Sequence, residues 1–266
     1  MNTGGNMVED YLKAIVNLDE LNNETDFRRI NPSEDLADVI DLFWYVGWNL
    51  KEGETFKQQL FPNPHMNIVH YSNGTFVEGA VKKIFEYELT GKGAILGVKF
   101  KIGGFNSLIN ENMSVFTNHK LDVNKVLKHS DWVKLSDLSN LNEKIELVES
   151  IIRSFDPMQK EKGKRVNEIV EYMRGNHHVV SVDTVSERFN ISVRSLQRLF
   201  EQYIGVNPKW VIRVFRLQEV KNEIETYTEI DWADLAFKLD YSDQSHMIND
   251  FKAFTGITPE SFKYKK

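Results

Sequence analysis

The side chains best suited to recognition chemistry lie in one amphipathic segment, Asn190–Gly205, with the sequence NISVRSLQRLFEQYIG. Read at helical spacing after a capping serine, Ser192, it places its apolar side chains on one face and Arg194, Gln197 and Arg198 on another. Arginine binds guanine through two hydrogen bonds and glutamine binds adenine in the same way, so these residue types suit a DNA major groove. An ordinary solvated helix carries similar residues, and the surrounding sequence must separate the two interpretations.

The elements around this segment occur twice in the chain. A short helix over Val182–Phe189, capped by Ser181, precedes the first amphipathic helix, and a short helix over Asp231–Leu239 precedes a second one that runs from Ser242 to Phe254. Gly205 and Gly256 close the two amphipathic helices, and a proline follows each glycine at the same offset. The pattern predicts a duplicated helix-turn-helix.

A helix predicted over Pro208–Thr226 joins the two units. At ~1.5 Å per residue it is about 28 Å long, close to the ~34 Å between successive major-groove segments on one face of DNA. Two helix-turn-helix units joined by this helix would therefore reach adjacent major-groove segments.

The first half of the chain has a different pattern. Turn signals such as KEGE, PNP, SNG and GKG separate short apolar runs, which indicates a β-rich sandwich or barrel. Short helices are predicted over Pro32–Asp41, Phe105–Ile109 and Val123–His129. The segment Leu141–Phe155 carries a wide apolar stripe, which is explained either by packing on its own domain or by pairing with a second copy.

We therefore predict an α+β chain with a β-rich N-terminal sensor-type domain and an all-α C-terminal domain that holds the two helix-turn-helix motifs. The N-terminal regulatory and dimerisation domain is placed at 1–155, the linker DPMQKEKGK at 156–164 and the DNA-binding domain at 165–266. A homodimer through 141–155 is one expectation.

Charge and composition limit the functions open to the chain. The net charge of −6 comes from positions 1–159, where Lys and Arg number 16 and Asp and Glu number 23, while positions 160–266 are close to neutral with 17 and 16. A near-neutral C-terminal half means that DNA affinity depends on where its cations lie. The chain has no cysteine, no apolar run long enough to span a bilayer and no recognisable signal peptide, which favours a cytoplasmic protein without a membrane partner.

The duplicated motif resembles the C-terminal domain of the AraC/XylS family of bacterial transcription regulators. The resemblance is carried by SVRSLQRLFEQYIGVNPKWVIRVFRL and LDYSDQSHMINDFKAFTGITPESF. It implies double-stranded DNA as the partner, no catalytic activity and no cofactor, with RNA polymerase as a further partner if the protein is an activator. The DNA-facing positions it implies are Val193, Arg194, Gln197, Arg198, Gln244, Ser245, His246, Ile248, Asn249 and Lys252.

Two features of the second unit depart from that family. Many relatives carry arginine where Asn249 stands, and Asp250 follows it, so we expect the second unit to hold DNA more weakly. Arg213, Arg216 and Lys238 are further candidates for phosphate contact.

The first half is similar to a β-rich sensor-type domain found fused to some of these regulators, through LFWYVGW, PNPHMNIVHYSNG and GAILGVKFKIGGFNSLI. The resemblance implies a small-molecule effector, and the aromatic residues predicted to line its pocket are Phe43, Trp44, Tyr45 and Trp48.

Two other classes of function remain open at this stage. One is a metal-binding, small-molecule-binding or catalytic barrel, for which His65, His70 and Glu78 are the candidate ligands, although an odd separation points two strand residues to opposite faces. The other is a regulator that acts by protein contact through a weak DNA-binding domain, an interpretation based on the modest charge, Asn249 and Asp250.

Overall fold

Antiparallel strands are the main regular elements in the N-terminal half of this computed structural model, which describes residues 25–158, 160–176 and 181–264. Positions 1–24 of the predicted N-terminal domain lie outside the described residues. The strands are β1 Asp26–Ile30, β2 Ile40–Asn49, β3 Thr55–Leu60, β4 Asn67–Tyr71, β5 Gly74–Glu78, β6 Phe85–Thr90, β7 Lys92–Phe100 and β8 Lys120–Asp122.

Six of these strands form one sheet in the order β1-β2-β7-β4-β5-β8, and β3 pairs with β6 as a separate ribbon. The register gives the sheet two distinct faces because successive side chains alternate. Phe43, Val98 and Ile68 are cross-strand neighbours on the inner face, whereas Trp44 and Val69 both lie opposite Gly97 on the outer face.

The inner face packs against the helix that the sequence analysis identified at Leu141–Phe155. This helix, α2, spans Leu141–Ser154, and its Ile145, Val148, Ile151 and Ile152 are buried in the same cluster as Phe43 and Val98. The apolar stripe therefore packs on its own domain. The buried part of the stripe is therefore not available to a second copy, whereas Leu141, Leu147 and Phe155 are partly exposed, and the homodimer through 141–155 stays a prediction.

The short helices predicted in this half are mostly single turns. The segment predicted over Pro32–Asp41 contains only the 3-10 turn Glu34–Leu36, and β2 begins at Ile40. Leu36, Val39 and Ile40 are all buried, so a turn leading into a strand produces the same apolar spacing as a helix. A 3-10 turn at Phe105–Ser107 and the short helix α1, Val123–Val126, replace the other two predictions.

The C-terminal half consists of helices, as predicted. They are α3 Glu161–Gly175, α4 Val182–Arg188, α5 Val193–Tyr203, α6 Pro208–Thr226, α7 Trp232–Lys238, α8 Gln244–Thr255 and α9 Pro259–Lys263. The fold class is thus α+β, with a β-rich region followed by a helical one. Among the described residues, none of these helices combines the length and apolarity needed to cross a membrane.

The predicted linker is shorter than expected because α3 begins at Glu161. Gly163, assigned to the linker from the sequence, lies buried within the helix. Its backbone approaches Gly103, where an added Cβ would lie 2.7 Å from the Gly163 Cα. The glycine permits close contact between the two halves.

An apolar seam joins the two halves of the chain. Phe61, Ala80 and Ile102 belong to the same buried cluster as the C-terminal helices. The Phe61 ring lies 5.9 Å from Phe251 and 5.7 Å from Phe262, between ring centroids. The Gln218 amide donates to the Pro62 carbonyl at 3.2 Å, and the Ile84 N–H donates to the Phe254 carbonyl at 3.1 Å. We call Phe61, Pro62 and Ile84 the second clamp, because they hold α6, α8 and α9.

A separate contact holds the end of α5. The Thr117 hydroxyl donates to the Gly205 carbonyl at 2.7 Å, and the Asn106 amide donates to the Gln202 carbonyl at 3.3 Å. We call Asn106 and Thr117 the first clamp. Each helix-turn-helix unit is thus attached to the N-terminal half at its own point.

The two helix-closing glycines provide a matched test of the first clamp. Both have positive φ, 88° at Gly205 and 82° at Gly256. A Cβ at Gly205 would lie 2.6 Å from the Met113 carbonyl oxygen and from the Thr117 Oγ1, whereas a Cβ at Gly256 meets nothing within 4 Å. We expect Gly256→Ala to lower the free energy of unfolding by about 1 kcal/mol for the left-handed backbone alone. Gly205→Ala should lose about 2–4 kcal/mol, because overpacking adds to the same strain.

Urea unfolding of the two variants measures the difference. Equal losses in the free energy of unfolding would show that the residues of the first clamp move aside at no cost, which would contradict a close-packed contact at Gly205.

Candidate functional site

The first helix-turn-helix is built by local capping. Ser181 caps α4 in a capping box with Thr184, and Ser192 caps α5 by accepting from the Ser195 N–H at 3.2 Å. Between them Asn190 has φ 47°, and the Ile191 N–H donates to the Ser186 carbonyl. This is a Schellman turn, which closes α4 and reverses the chain within a few residues.

The exposed face of α5 carries the side chains singled out from the sequence. Arg194, Gln197 and Arg198 are exposed and Val193 is half-buried. Leu196, Phe200 and Tyr203 point the opposite way and are buried. Arg194 lies in the first turn, the part of a recognition helix that contacts base edges in helix-turn-helix proteins.

The second unit repeats these features. Asp231 caps α7, Asp240 occupies the turn with φ 56°, and Asp243 caps α8 by accepting from the His246 N–H at 2.7 Å. The Tyr241 N–H donates to the Ala236 carbonyl, as Ile191 does to Ser186 in the first unit. The duplication therefore extends to the conformation of single turn residues.

Polar side chains cover the outward face of α8. Ile248 is half-buried, and the exposed residues are Gln244, Ser245, His246, Asn249 and Lys252. Met247, Phe251 and Phe254 form the buried stripe. The structure thus brings each predicted DNA-facing set together on one helix face.

Asp250 does not belong to that face, which corrects the interpretation based on sequence. Its side chain is only 4% exposed and forms an ion pair with Arg213, while the Tyr241 hydroxyl donates to its Oδ2 at 3.1 Å. Burial is the main cause that raises the pKa of Tyr241 above its usual range, with the Asp250 carboxylate adding to it. Asp250, whose negative charge led us to expect weaker DNA binding, points into the domain, where its ion pair with Arg213 fixes α8 to α6.

The candidate phosphate contacts fall into two groups. Arg213 binds Asp250, Arg216 binds Asp240 at 2.9 Å, and Lys238 binds Asp234 at 2.7 Å. Their first role is therefore within the domain. Within the described part of the chain, Arg194, Arg198 and Lys252 form no ion pair and remain available to a polyanion.

A cavity of about 540 Å³ lies over the outer face of the sheet. Its floor is formed by Trp44, Val69 and Tyr71, and the β3–β6 ribbon contributes Leu60 and Tyr87. The connecting segments supply Phe61 and Ile84 of the second clamp together with Asn63, Lys82, Lys83 and Asn118. Its volume is in the usual range for small-molecule sites.

Only one of the four aromatic residues predicted for the pocket lines this cavity. Trp44 does so, and its indole lies over Gly97, where an added Cβ would come within 2.0 Å. Phe43 is fully buried in the inner core, and Tyr45 lies opposite Leu96 on that inner face. Trp48 is on the outer face but further along β2, where its indole N–H donates to the Thr90 carbonyl at 3.1 Å. Strand alternation separates residues that are adjacent in sequence.

A hydrogen-bonded cluster occupies one side of the cavity. The Tyr71 hydroxyl donates to Glu78 at 2.7 Å and lies 2.9 Å from the Tyr87 hydroxyl. The Lys120 ammonium is 3.5 Å from Glu78 and 3.3 Å from the centre of the Tyr71 ring. Burial raises the pKa of both tyrosines and lowers the pKa of Lys120, an effect that Glu78 opposes at Lys120. The phenols therefore stay protonated and act as hydrogen-bond donors.

The residues of the metal-binding alternative have separate partners. His65 Nδ1 bonds with the Phe100 carbonyl and His70 Nδ1 with the Thr75 hydroxyl, while Glu78 binds Tyr71 and Lys120. Burial lowers the pKa of His70 to about 4 and that of His65 well below its usual value. Across residues 25–158, 160–176 and 181–264, no three His, Asp or Glu side chains form a metal-binding group.

The contribution of Phe85 and Tyr87 to the cavity and the residues of the two clamps were not predicted from the sequence. In the segment FEYEL, residues 85–89, strand alternation places Phe85 and Tyr87 on the same side. The segment VKK, residues 81–83, carries two adjacent lysines in a half of the chain that is acidic overall. Together these two signals would have predicted a surface that is both cationic and aromatic. No sequence pattern pointed to Asn106 or Thr117, because their partners are backbone carbonyls in the distant second half of the chain.

Two known domain families match the chain. One, described as a helix-turn-helix domain, matches residues 185–265, and the other, a domain of unknown function (DUF6597), matches residues 28–122. The transcriptional activator AarP of Providencia stuartii is 28% identical over 99 residues, which cover 37% of this chain and 73% of AarP. RhaS of Escherichia coli O139:H28, also a transcriptional activator, is 27% identical over 84 residues, 32% of this chain and 30% of RhaS. The match thus spans less than a third of RhaS.

Solved structures give a weaker likeness. The DNA-binding domain of AdpA in complex with a target DNA matches over 38% of this chain and 90% of its own, at 19% identity and a TM-score of 0.35. ToxT of Vibrio cholerae matches over 94% of this chain and 98% of its own, at 12% identity and a TM-score of 0.39. These scores are too low to transfer a ligand or a binding mode.

The two aspartates that bind arginines on α6 test how α8 is held. Asp250→Asn removes a buried charged acceptor that serves both Arg213 and the Tyr241 hydroxyl, although Arg213 itself is 37% exposed, and we expect a loss of about 1.5–3 kcal/mol in the free energy of unfolding. Asp240, which binds Arg216, is 61% exposed, so Asp240→Asn should lose less than about 1 kcal/mol. Thermal or urea unfolding of both variants gives the comparison. A small loss at Asp250 would mean that the apolar stripe alone positions α8.

Proposed function

We propose that this chain is an AraC/XylS-type transcriptional regulator that reads a bipartite DNA sequence with α5 and α8. One observation carries the proposal. Both recognition helices present exposed amide and cationic side chains, whereas Asp250, the carboxylate within α8, is buried against Arg213. Such donors suit base edges in a major groove, and the burial of Asp250 removes one negative charge from the face that would approach the phosphates.

The roles follow from side-chain chemistry and position. Arg194 and Arg198 suit guanine, whereas Gln197, Gln244 and Asn249 suit adenine. His246 and Lys252 lie where phosphate contacts are expected. The rigid spacer α6, with its 19 residues, is about 28 Å long, so the two helices suit adjacent major-groove segments of one duplex.

Control by a small effector is the second part of the proposal. The cavity and the second helix-turn-helix share the Phe61 side chain, since Phe61 lines the cavity and its ring packs on Phe251 of α8. A ligand that changes the position of Phe61 would change the position of α8. Such control requires the ligand to bind the two arrangements with different affinity.

The remaining partners follow from the same proposal. AarP and RhaS are described as transcriptional activators, and if this chain is also one, RNA polymerase is a partner. Two helix-turn-helix units in one chain already give a bipartite site, so the proposal does not depend on a homodimer through 141–155. A DNA partner is reached in the bacterial cytoplasm, the location expected from the sequence.

Selection of genomic DNA fragments by the purified chain, followed by sequencing, tests the DNA-reading proposal. We expect a short bipartite motif to be enriched. Arg194→Ala should lose about 1–3 kcal/mol of discrimination at one base position because it removes a bidentate contact. The control Arg188→Ala removes an exposed arginine from α4, which crosses the backbone in such motifs, and should weaken binding to all sequences alike. If Arg194→Ala weakens binding to all DNA sequences equally, Arg194 does not read a base.

A second test separates the two clamps. Thr117→Val removes the hydrogen bond to Gly205 and should change affinity for the half-site read by α5, while Phe61→Leu should change affinity for the half-site read by α8. Coupling of this kind is typically about 0.5–2 kcal/mol. Phe85 lines the same cavity but belongs to neither clamp, so Phe85→Leu is the control. Affinities are measured on operators mutated in one half-site at a time, and identical responses at both half-sites would contradict separate clamps.

A further inference from the structure

The cavity over the outer face of the sheet combines an aromatic interior with a cationic mouth. We propose that its ligand is an amphipathic organic anion, with an apolar body inside and its acidic group at Lys82 and Lys83. The regulatory meaning of this ligand rests on the proposed function, whereas its binding does not.

The interior suits a rigid apolar body. Trp44, Phe61, Tyr71 and Tyr87 are four of the aromatic residues that line it, with Leu60 and Val69 between them. Aromatic rings gain binding energy from edge-to-face and offset-stacked contacts in addition to the gain from the area they bury. A cavity of about 540 Å³ holds a molecule with one or two rings.

The mouth carries a concentration of positive charge. Lys82, Lys83 and Lys120 line the cavity at exposed positions there, and the His119 side chain is also exposed among the lining residues. Glu78 is the one carboxylate among the described lining residues, and Tyr71 and Lys120 already bind it. Deeper in the cavity Lys99 is paired with Asp41 at 2.7 Å. Lys82 and Lys83 form no ion pair within the described residues, so their charges face the opening uncompensated.

This local charge runs against the balance of the domain around it. Over positions 1–159, Asp and Glu number 23 and Lys and Arg number 16, yet the side chains at this opening are mainly basic. An anion is attracted to the opening and a cation is repelled, whereas a neutral molecule gains only from the apolar interior. Charge complementarity therefore selects the anion.

The lysine segment is held in place before any ligand arrives. The Lys82 N–H donates to the Asn118 side chain at 2.8 Å, and Val81 pairs with Asn63 in an isolated antiparallel bridge. Ile84, which follows directly after Lys83, is fixed to α8 by its bond to the Phe254 carbonyl. Such preorganisation lowers the entropic cost of binding and connects the anion site to the second clamp.

Calorimetric titration of the full chain with three matched probes tests the inference. The probes are the carboxylate 2-naphthaleneacetate, 2-naphthaleneethanol and 2-naphthaleneethylamine, which share one apolar body and differ in charge. We expect the affinity order anion, alcohol, amine. Lys82→Ala/Lys83→Ala should weaken the anion by about tenfold and leave the alcohol unchanged. Lys125→Ala/Lys128→Ala removes the same charge from exposed positions that do not line the cavity and should leave all three affinities unchanged.

The inference is overturned if the alcohol binds as tightly as the anion, if the amine binds best, or if both lysine pairs have the same effect. It is also overturned if Lys82→Ala/Lys83→Ala weakens DNA binding but not the anion, because the lysines would then serve phosphate contact. Calorimetry needs no DNA. A chain that selects a DNA motif but binds none of the probes loses this inference alone, and a chain that binds the anion but selects no motif loses the proposed function alone.

Discussion

The apolar seam at Phe61, Ala80 and Ile102 sets the arrangement of the rest of the molecule. These residues come from the β-rich half but are buried in the core of the helical half. Burial of apolar surface at this seam stabilises the contact in proportion to the area removed from water. Because the seam lies beside α6, α8 and α9, the N-terminal half fixes the second helix-turn-helix directly. The first helix-turn-helix is held at the end of α5 by hydrogen bonds to backbone carbonyls.

The close approach of backbones at these contacts requires glycine. Gly103 faces Gly163, and Gly205 faces the Met113–Thr117 turn, so a single added carbon would overlap with its neighbour at either place. Gly97 has a similar role inside the β-rich half, where it makes room for the Trp44 indole. The cavity, the seam and the first clamp thus depend on positions where a side chain would not fit.

The distribution of charge explains how an acidic chain can present a DNA-binding surface. Arg213 and Arg216 neutralise Asp250 and Asp240 within the domain, which removes one acid from the proposed DNA-facing surface and fixes α6 to α8 and to the turn before α8. Arg194, Arg198 and Lys252 keep their charge at the surface. Fields near a surface depend on such local arrangement more than on the net charge, because salt screens distant charges within about 10 Å. The cationic mouth of the cavity follows the same rule in the more acidic half.

Local sequence specified the duplication in the C-terminal half and most of its helices and caps. The exceptions are α3, which begins at Glu161 within the predicted linker, and α8, whose cap is Asp243 rather than Ser242. Ser181, Ser192, Gly205 and Pro208 act through local backbone geometry, and α6 has the bounds that its pattern predicts. The outward set on α5 followed from helical periodicity alone, since 3.6 residues per turn fix which side chains share a face. The β-rich character of the first half followed equally from its turn signals.

Tertiary packing, by contrast, established which of the predicted residues are free and which are bound. Asp250 and Asn249 are neighbours in sequence, yet one is buried against Arg213 and the other is exposed, because α8 packs on α6, a helix from an earlier part of the chain. Strand pairing placed Trp44 in the cavity and Phe43 in the core. The seam, the clamps and the cavity bring together residues that are far apart in the sequence, and no local pattern encodes such contacts because they depend on how two cores share one surface.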